Sequence, residues 1–145
     1  MPVTVKQISL WRKEAENVPG SLAQTLEPLA AAGANLQLVM GYRFPGDGMK
    51  AAFELYPVSG KKPVAAAQAA GLSASSIPTL IVQGNNSQGL AHRVAKALSD
   101  AGVDMGFFVG QVIGNKYAAV IGFANEADSK KAAALIKKAA ASKKK

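Results

Sequence analysis

The sequence predicts an α+β fold made of two copies of one small module in a chain of 145 residues. The first observation is a glycine-bearing turn before a helix, at residues 17–20 (the first turn) and again at residues 86–89 (the second turn). The second is a constant spacing of glycine pairs (89 − 20 = 102 − 33 = 110 − 41 = 69). A module of this size buries only about 60% of its unfolded surface, so we expect the two to pack on each other and also on a second chain.

The first half begins with one strand and one helix. Alternating apolar residues predict a strand within residues 3–12, and the charged residues 12–16 predict a loop that leads to the first turn. Pro28 falls inside the helix and should kink it, and Gly33 ends it. The apolar stripe of this helix is Leu22, Leu26, Leu29 and Ala30.

A hairpin and a second helix complete the first half. Residues 36–42 and 51–55 alternate as two strands around the Pro-Gly-Asp-Gly turn at residues 45–48. A short alanine-rich helix over residues 64–70 stops at Gly71. The polar residues 72–77 are a linker or a brief edge strand. We therefore expect modules at residues 1–72 and 73–145.

The second half repeats this order of elements. Residues 79–83 predict a strand, the second turn opens a helix, and residues 103–113 and 117–123 form a hairpin. Asn125 caps the last helix, with Asp128 three positions later. No strand pattern follows, so the second module is expected to lack its last strand.

The order of elements in both halves predicts ferredoxin-like modules of the βαββαβ type, with antiparallel sheets and the helices on one face. Such sheets have free edges, which proteins normally pair or blunt. Pairing between the halves or between two chains would satisfy the free backbone groups of these edge strands. It would place the glycine turns near the interface between the modules.

Composition excludes several classes of function. No apolar run approaches the roughly 18 residues of a membrane helix, and the N-terminus lacks the features of a signal peptide. The absence of cysteine removes thiol chemistry, and His92 is the single histidine, expected at the surface. The sequence therefore has almost none of the side chains that a transition-metal site or a Ser-His-Asp triad requires. We expect a cytoplasmic protein that is not an enzyme and has no cofactor or metal.

The net charge of +8 is concentrated at the C-terminus. Five lysines there leave only +3 (8 − 5) for the rest of the chain. We interpret them as a solvated helix end and tail, with weak contact to acidic partners as the alternative. These residues are Lys137, Lys138, Lys143, Lys144 and Lys145.

Each glycine turn leaves backbone N–H groups at the positive end of a helix dipole, which predicts a site for a carboxylate or another small anion. The alternative is a tight turn without ligand, in which Asn17 and Asn86 only hold the loop backbone. Asn35 and Asp104 follow the ends of the two helices, and are either ligand groups or simple loop residues.

The motif Asn-x-Pro-Gly-x-Leu, before a helix that ends in Ala-Gly-x-Asn-Leu, resembles the ACT domain, a small regulatory module that binds amino acids. The second half departs from the family pattern at Gln88, where proline is frequent, and at Asp104, where asparagine is frequent. The first half matches at Asn17, Pro19, Gly20, Leu22, Gly33, Asn35 and Leu36, and the second at Asn86, Gly89, Gly102 and Asp104.

The resemblance implies a non-catalytic, allosteric regulatory protein, a tandem repeat and homodimer that acts on an unidentified enzyme or regulator. Its ligand would be a free amino acid at an interface between modules, with the carboxylate on backbone N–H groups and the ammonium on side-chain oxygens. The implied ligand-binding residues are Asn17, Val18, Pro19, Gly20, Ser21, Asn35, Asn86, Ser87, Gln88, Gly89, Leu90 and Asp104.

Three other functions share this topology. One is an interaction or dimerisation module without a ligand. An RNA-binding protein would need aromatic residues on its central strands, and Ala51, Phe53, Leu55, Ala119 and Ile121 argue against it. An acylphosphatase-like hydrolase would need an arginine in a phosphate-cradling loop and an asparagine placed for water, and the sequence shows no such set.

Overall fold

A computed structural model describes residues 3–141. Within them there are eight strands and four helices, and the strands form two antiparallel sheets of four strands each. The α+β fold class and the ferredoxin-like architecture predicted from the sequence are confirmed. The elements are β1 (Val3–Ile8), β2 (Trp11–Glu16), α1 (Ser21–Ala31), β3 (Leu38–Phe44), β4 (Asp47–Tyr56), α2 (Lys61–Ala69), β5 (Ser73–Ala74), β6 (Thr79–Asn85), α3 (Leu90–Asp100), β7 (Met105–Ile113), β8 (Lys116–Phe123) and α4 (Glu126–Ala141).

The chain divides into two compact units. Residues 9–76, the inserted module, hold the sheet with strand order β3-β4-β2-β5. The residues up to Ile8 and from Ile77 onward, the split module, hold the sheet β1-β6-β8-β7. These limits differ from the predicted modules at residues 1–72 and 73–145, because the first strand of the chain pairs in the sheet of the second half.

The N-terminal strand closes the sheet of the split module. β1 runs antiparallel to β6, from Val3 opposite Gly84 to Ile8 opposite Thr79. It occupies the edge position that a strand after α4 would otherwise fill. The strand that the sequence of the second half lacks is thus supplied by the opposite end of the chain.

β2 corrects the prediction of a single strand within residues 3–12 and a loop over residues 12–16. The break between strands falls at Ser9 and Leu10, and Trp11–Glu16 pairs along its length with β4. The prediction failed because four of these six residues are charged, and a backbone ladder with β4 and β5 outweighs that composition.

Several smaller predictions are confirmed. Residues 73–74 form the brief edge strand β5, which pairs with β2. Pro28 lies inside α1 as expected, and its carbonyl accepts a hydrogen bond from the N–H of Ala32 at 3.0 Å, whereas the kink expected at Pro28 stays a prediction. Asn125 Oδ1 accepts from the backbone N–H of Asp128 at 2.8 Å, which is the predicted cap of the last helix.

The two modules have separate cores of different size. The inserted module buries Leu29, Leu55, Ala67 and Leu72, and the partly buried Trp11 packs against them. The split module buries a larger set between its sheet and its two helices. That set includes Val3, Leu80, Val82, Leu90, Val94, Leu98, Val103, Tyr117, Ala119, Ile121, Phe123, Ala132, Ile136 and Ala140.

The surface agrees with the expectations for single residues. His92 is exposed on α3, and Lys137 and Lys138 are exposed on α4. Lys143, Lys144 and Lys145 lie outside the described residues. None of the helices in residues 3–141 is both long and apolar enough to cross a membrane.

Candidate functional site at the two helix N-termini

The first turn ends in a glycine with left-handed backbone angles. Gly20 has φ 90° and ψ −11° and opens α1, where no described side chain forms a cap. Its carbonyl accepts the first helical bond, from Gln24 N–H at 3.0 Å. The N–H groups of Leu22 and Ala23 precede that bond and have no acceptor within the helix. Both donors therefore remain available at the positive end of the helix dipole.

Asn17 ties the first turn to the β3–β4 hairpin. Its backbone N–H donates to Met49 O at 2.9 Å, and its side-chain Nδ2 donates to Gly48 O at 2.9 Å. The amide nitrogen is thus committed to the loop, whereas Oδ1 is the end of the side chain that can accept from a ligand. Val18 and Pro19 are exposed beside it, and Ser21 begins the helix.

The second turn repeats the same backbone. Gly89 has φ 76° and ψ 12°, and its carbonyl accepts from Arg93 N–H at 3.0 Å. By the same helical geometry the N–H groups of Ala91 and His92 have no acceptor within α3. Asn86 N–H donates to Asn115 O at 2.7 Å, as Asn17 does to its own hairpin.

Arg93 holds the second turn, and the sequence reasoning missed it. Its Nη2 donates to Ser87 Oγ at 2.7 Å and its Nη1 to Gln88 O at 2.8 Å. Its Nε donates to Ala139 O of α4 at 3.4 Å. The side chain therefore joins the turn to α4 and adds a positive charge beside the helix N-terminus. The one signal in the sequence is that Arg93 occupies the repeat position that Gln24 occupies in the first half (93 − 24 = 69), so that a charged residue replaces a neutral one.

The structure does not bring the two predicted parts of each site together within one module. Asn35 and Asp104 are exposed beyond the C-terminal ends of α1 and α3, whereas the turns lie at the N-terminal ends. A helix of 11 residues separates them by about 16 Å. Asp104 instead lines a concave region of about 440 Å³, together with Ser99, Gly102, Val103 and Met105.

A second concave surface lies between α3 and α4. This groove of about 450 Å³ has an apolar floor and a charged rim, on which Lys96 and Asp100 pair at 3.0 Å. It runs along the helices, away from the N–H groups of the second turn, and shares Arg93 with that turn. Its lining residues are Arg93, Lys96, Ala97, Asp100, Ala101, Leu135, Lys138 and Ala139.

A polar cluster in the inserted module was also missed. Glu54 is 1% exposed, and its Oε2 accepts from the hydroxyl of Tyr42 at 2.7 Å. Burial raises the pKa of Tyr42, and the hydrogen bond to Glu54 raises it further. Opposite Glu54 in the register, Arg12 donates to Glu14 at 2.8 Å. That bond raises the pKa of Arg12 and lowers the pKa of Glu14. The signal in the sequence was the opposite charge of Arg12 and Glu14, which lie two positions apart and so on the same face of a strand.

The described residues contain no group of three or more His, Cys, Asp or Glu that could hold a metal ion. The two turns offer backbone N–H groups at helix N-termini, which are suited to bind an anion.

Comparison with known proteins shows the fold. No family model matches the sequence, and no curated protein matches it. A solved protein of Bacteroides thetaiotaomicron is 18% identical, with a TM-score of 0.71, covering 90% of this chain and 87% of that one. The ligand-free regulatory subunit of aspartate kinase from Thermus thermophilus is 13% identical, with a TM-score of 0.62, covering 96% and 97%. The corresponding subunit from Thermus flavus is 16% identical, with a TM-score of 0.56 and the same coverage. The chain thus shares an ACT-like fold with regulatory subunits.

Proposed function

We propose that this chain is a non-catalytic regulatory protein that binds a free amino acid at the helix N-termini of its two turns. The observation that carries this proposal is the repeated pair of left-handed glycines, Gly20 and Gly89, each of which opens a helix without a side-chain cap. A carboxylate is the natural partner of such N–H groups. The shared fold with regulatory subunits of aspartate kinase supports a regulatory role.

The ammonium group of the amino acid would be taken by side-chain oxygens of a second copy of the chain. Within one module Asn35 and Asp104 are too far from the turns, and a second copy of the chain could supply them. The strands β3 and β7 are edges of their sheets, with unpaired backbone groups and exposed apolar side chains at Val39, Val109 and Val112. We propose that these edges pair in a homodimer, with Asn17 and Asn86 beside the ligand.

Regulation follows from the linkage between ligand and assembly. An amino acid bound across two copies stabilises their association, and the association raises the affinity for the amino acid by the same factor. A cytoplasmic enzyme or regulator that contacts one assembly state would then respond to the concentration of the amino acid.

The alternative is an interaction module without a ligand. It is favoured by the internal bonds of Asn17 Nδ2 and of Arg93, which stabilise the turns without help from a ligand. An RNA-binding function has less support, because the central-strand residues Phe53 and Ile121 are buried and therefore cannot stack on bases.

The test is the thermal stability of the purified protein against each of the twenty amino acids. A ligand at 100 times its Kd should stabilise the folded state by about 2.7 kcal/mol. Gly20→Asp and Gly89→Asp place a negative charge at the helix N-termini and should abolish the shift. Gly46→Asp is the matched control, since Gly46 has a similar φ of 77° in a hairpin turn with no atom within 4 Å of an added Cβ. A flat panel at millimolar concentration would contradict the proposal.

A further inference from the structure

The groove between α3 and α4 has no part in the proposed function, and its rim is positively charged. Three of its eight lining residues are cations, namely Arg93, Lys96 and Lys138. Asp100 is the one carboxylate among them (3 − 1 = +2). Lys131 adds a further positive charge beside the end of α3, to whose C-cap carbonyl its Nζ donates at 3.1 Å. An apolar floor with a positive rim suits a partner that is both apolar and acidic.

The inserted module shows that the fold does not require these charges. At the spacing of the repeat, the places of the three lining cations are taken by Gln24, Glu27 and Ala69 (93 − 24 = 96 − 27 = 138 − 69 = 69). The same spacing matches Ala67 of α2 with Ile136 of α4 (136 − 67 = 69), and both are 0% exposed, so the two helices correspond. A helix pair of this kind therefore forms without the cations, which are a property of the split module alone.

The cations of the rim are placed to meet a partner. The guanidinium of Arg93 is fixed by its three hydrogen bonds to the second turn and to α4. Lys96 and Asp100 pair on the surface, with side chains that are 62% and 64% exposed. Such an exposed pair contributes little to stability, so Lys96 can exchange Asp100 for a carboxylate of a partner at little cost.

The shape of the groove fits a helix. Its lining stripe on α3 covers about 12 Å, or two helical turns. Ala97, Ala101 and Ala139 are small, so a third helix can approach to the distance of about 8–10 Å that is usual for packed helices. An extended segment would instead leave N–H and C=O groups without partners over the apolar floor. The stripe consists of positions 93, 96, 97, 100 and 101, and α4 adds positions 135, 138 and 139.

We propose that this groove binds an amphipathic helix of an acidic partner protein. The apolar stripe of that helix would lie on the alanines and on the half-buried Leu135. Its acidic residues would flank the stripe and face Lys96 on α3 and Lys138 on α4. The proposal goes beyond the amino-acid site at the turns and does not depend on it.

A second copy of this chain does not supply such a helix. Among the helices of residues 3–141, α1 and α3 carry one acidic residue each and α2 carries none. α4 carries two, Glu126 and Asp128, but both lie in its first turn, where Gln7 donates to Glu126 and Asn125 caps Asp128. The net charge of +8 also disfavours self-association at a basic surface. The occupant is therefore a different protein.

The experiment uses the full chain, isotope-labelled for NMR, with two helical peptides as probes. Each peptide has about 14 residues, or four turns, with leucines along one face and a covalent staple that holds the helix. The flanking positions are glutamate in the acidic peptide and lysine in the basic peptide. The acidic peptide should shift the amide resonances of residues 93–101 and 135–139. Its Kd should rise with salt concentration, because salt screens exposed charges.

Matched variants locate the binding. Ala97→Glu places a negative charge on the floor and should weaken the acidic peptide by about tenfold or more. Ala134→Glu adds the same charge at an exposed position of α4 outside the groove, and should change the Kd by less than about threefold at physiological salt. The double variant Lys96→Glu, Lys138→Glu alters only exposed side chains and leaves the groove with two cations and three carboxylates (2 − 3 = −1). It should bind the basic peptide in preference.

The outcomes decide the proposal. Equal binding of the two peptides, shifts outside the groove, or no binding at millimolar peptide would overturn it. It would also be overturned if the double variant kept the preference for the acidic peptide. Binding of the parent to vesicles of anionic lipid, without binding of the acidic peptide, would assign the cations to a lipid surface instead. The unfolding temperatures of the free variants and the parent show that each variant folds.

Discussion

The two glycine turns have the same backbone and different side-chain support. In each, a left-handed glycine opens a helix, and the N–H of an asparagine donates to a carbonyl of the neighbouring hairpin. The first turn is further held by the side chain of Asn17, and the second by Arg93. The features common to both turns are the ones that present N–H groups at a helix end. Under the proposed function, the backbone would bind the part of the ligand that is common to both turns, and the side chains would account for any difference in ligand between them.

Substitutions in the two cores should give the largest difference in the free energy of unfolding between the two modules. Leu29 and Leu98 occupy the same repeat position (98 − 29 = 69), and both are 0% exposed. Leu98→Ala should cost about 4–5 kcal/mol, because the larger core of the split module cannot close around the cavity. Leu29→Ala should cost about 2–3 kcal/mol, since its small core can relax. Denaturant unfolding, with hydrogen exchange to assign each module, measures both, and equal losses would contradict the contrast.

Removal of the arginine should loosen the second turn alone. Arg93→Ala deletes three hydrogen bonds from a charged group and should cost about 1.5–3 kcal/mol, with faster amide exchange at Leu90 and at the C-terminal end of α4. Gln24→Ala, the matched change in α1, alters an exposed residue and should stay within about 0.5 kcal/mol. If the two variants had the same effect, Arg93 would not be the support of the turn.

Tyr42 and Tyr117 allow a comparison between a tyrosine hydroxyl that has a hydrogen-bond partner and one that has none among the described residues. Tyr42→Phe removes the donor to the buried Glu54 and should cost about 1–2 kcal/mol. Tyr117→Phe removes a hydroxyl without a partner among the described residues, so the free protein should be unchanged or slightly more stable. Unfolding in urea compares them, and a loss for Tyr117→Phe equal to that for Tyr42→Phe would mean that Tyr117 has an internal partner.

The smallest expected effect is a loss of stability in alkali. Burial raises the pKa of both Tyr42 and Tyr117 above the ordinary value of 10.0. The unfolded chain therefore ionises first, so the stability is complete below about pH 10 and falls as the pH rises through the folded pKa values. Unfolding midpoints measured from about pH 9 to pH 11 should decline less steeply in a Tyr42→Phe, Tyr117→Phe double variant. An identical decline would assign the loss to other groups.

The sequence determined the parts of the fold that depend on local pattern. The constant glycine spacing identified the repeat, and the apolar stripes located α1 and α3, because turns and helix faces are set by neighbouring residues. The position of β1 was not predictable in this way, since its pairing with β6 joins residues that are far apart in the chain, from Ile8 and Thr79 (79 − 8 = 71) to Val3 and Gly84 (84 − 3 = 81). β2 was missed because four of its six residues are charged, which is unusual in a strand.

The candidate site was predictable to the same degree. The turns were found from their glycines, whose positive φ reflects the absence of a side chain. Arg93 was missed because its role depends on a contact with Ala139 in another helix. Such contacts belong to tertiary packing and leave no periodic signal.

The most direct test of the central claim is the response of single backbone amides to the amino acid that stabilises the protein. A carboxylate bound at the turns should shift the amide resonances of Leu22 and Ala23, of Ala91 and His92, or of both pairs. The methyl ester of the same amino acid, which lacks the charge, should leave them in place. Shifts confined to the groove between α3 and α4, or an equal response to the ester, would contradict the account.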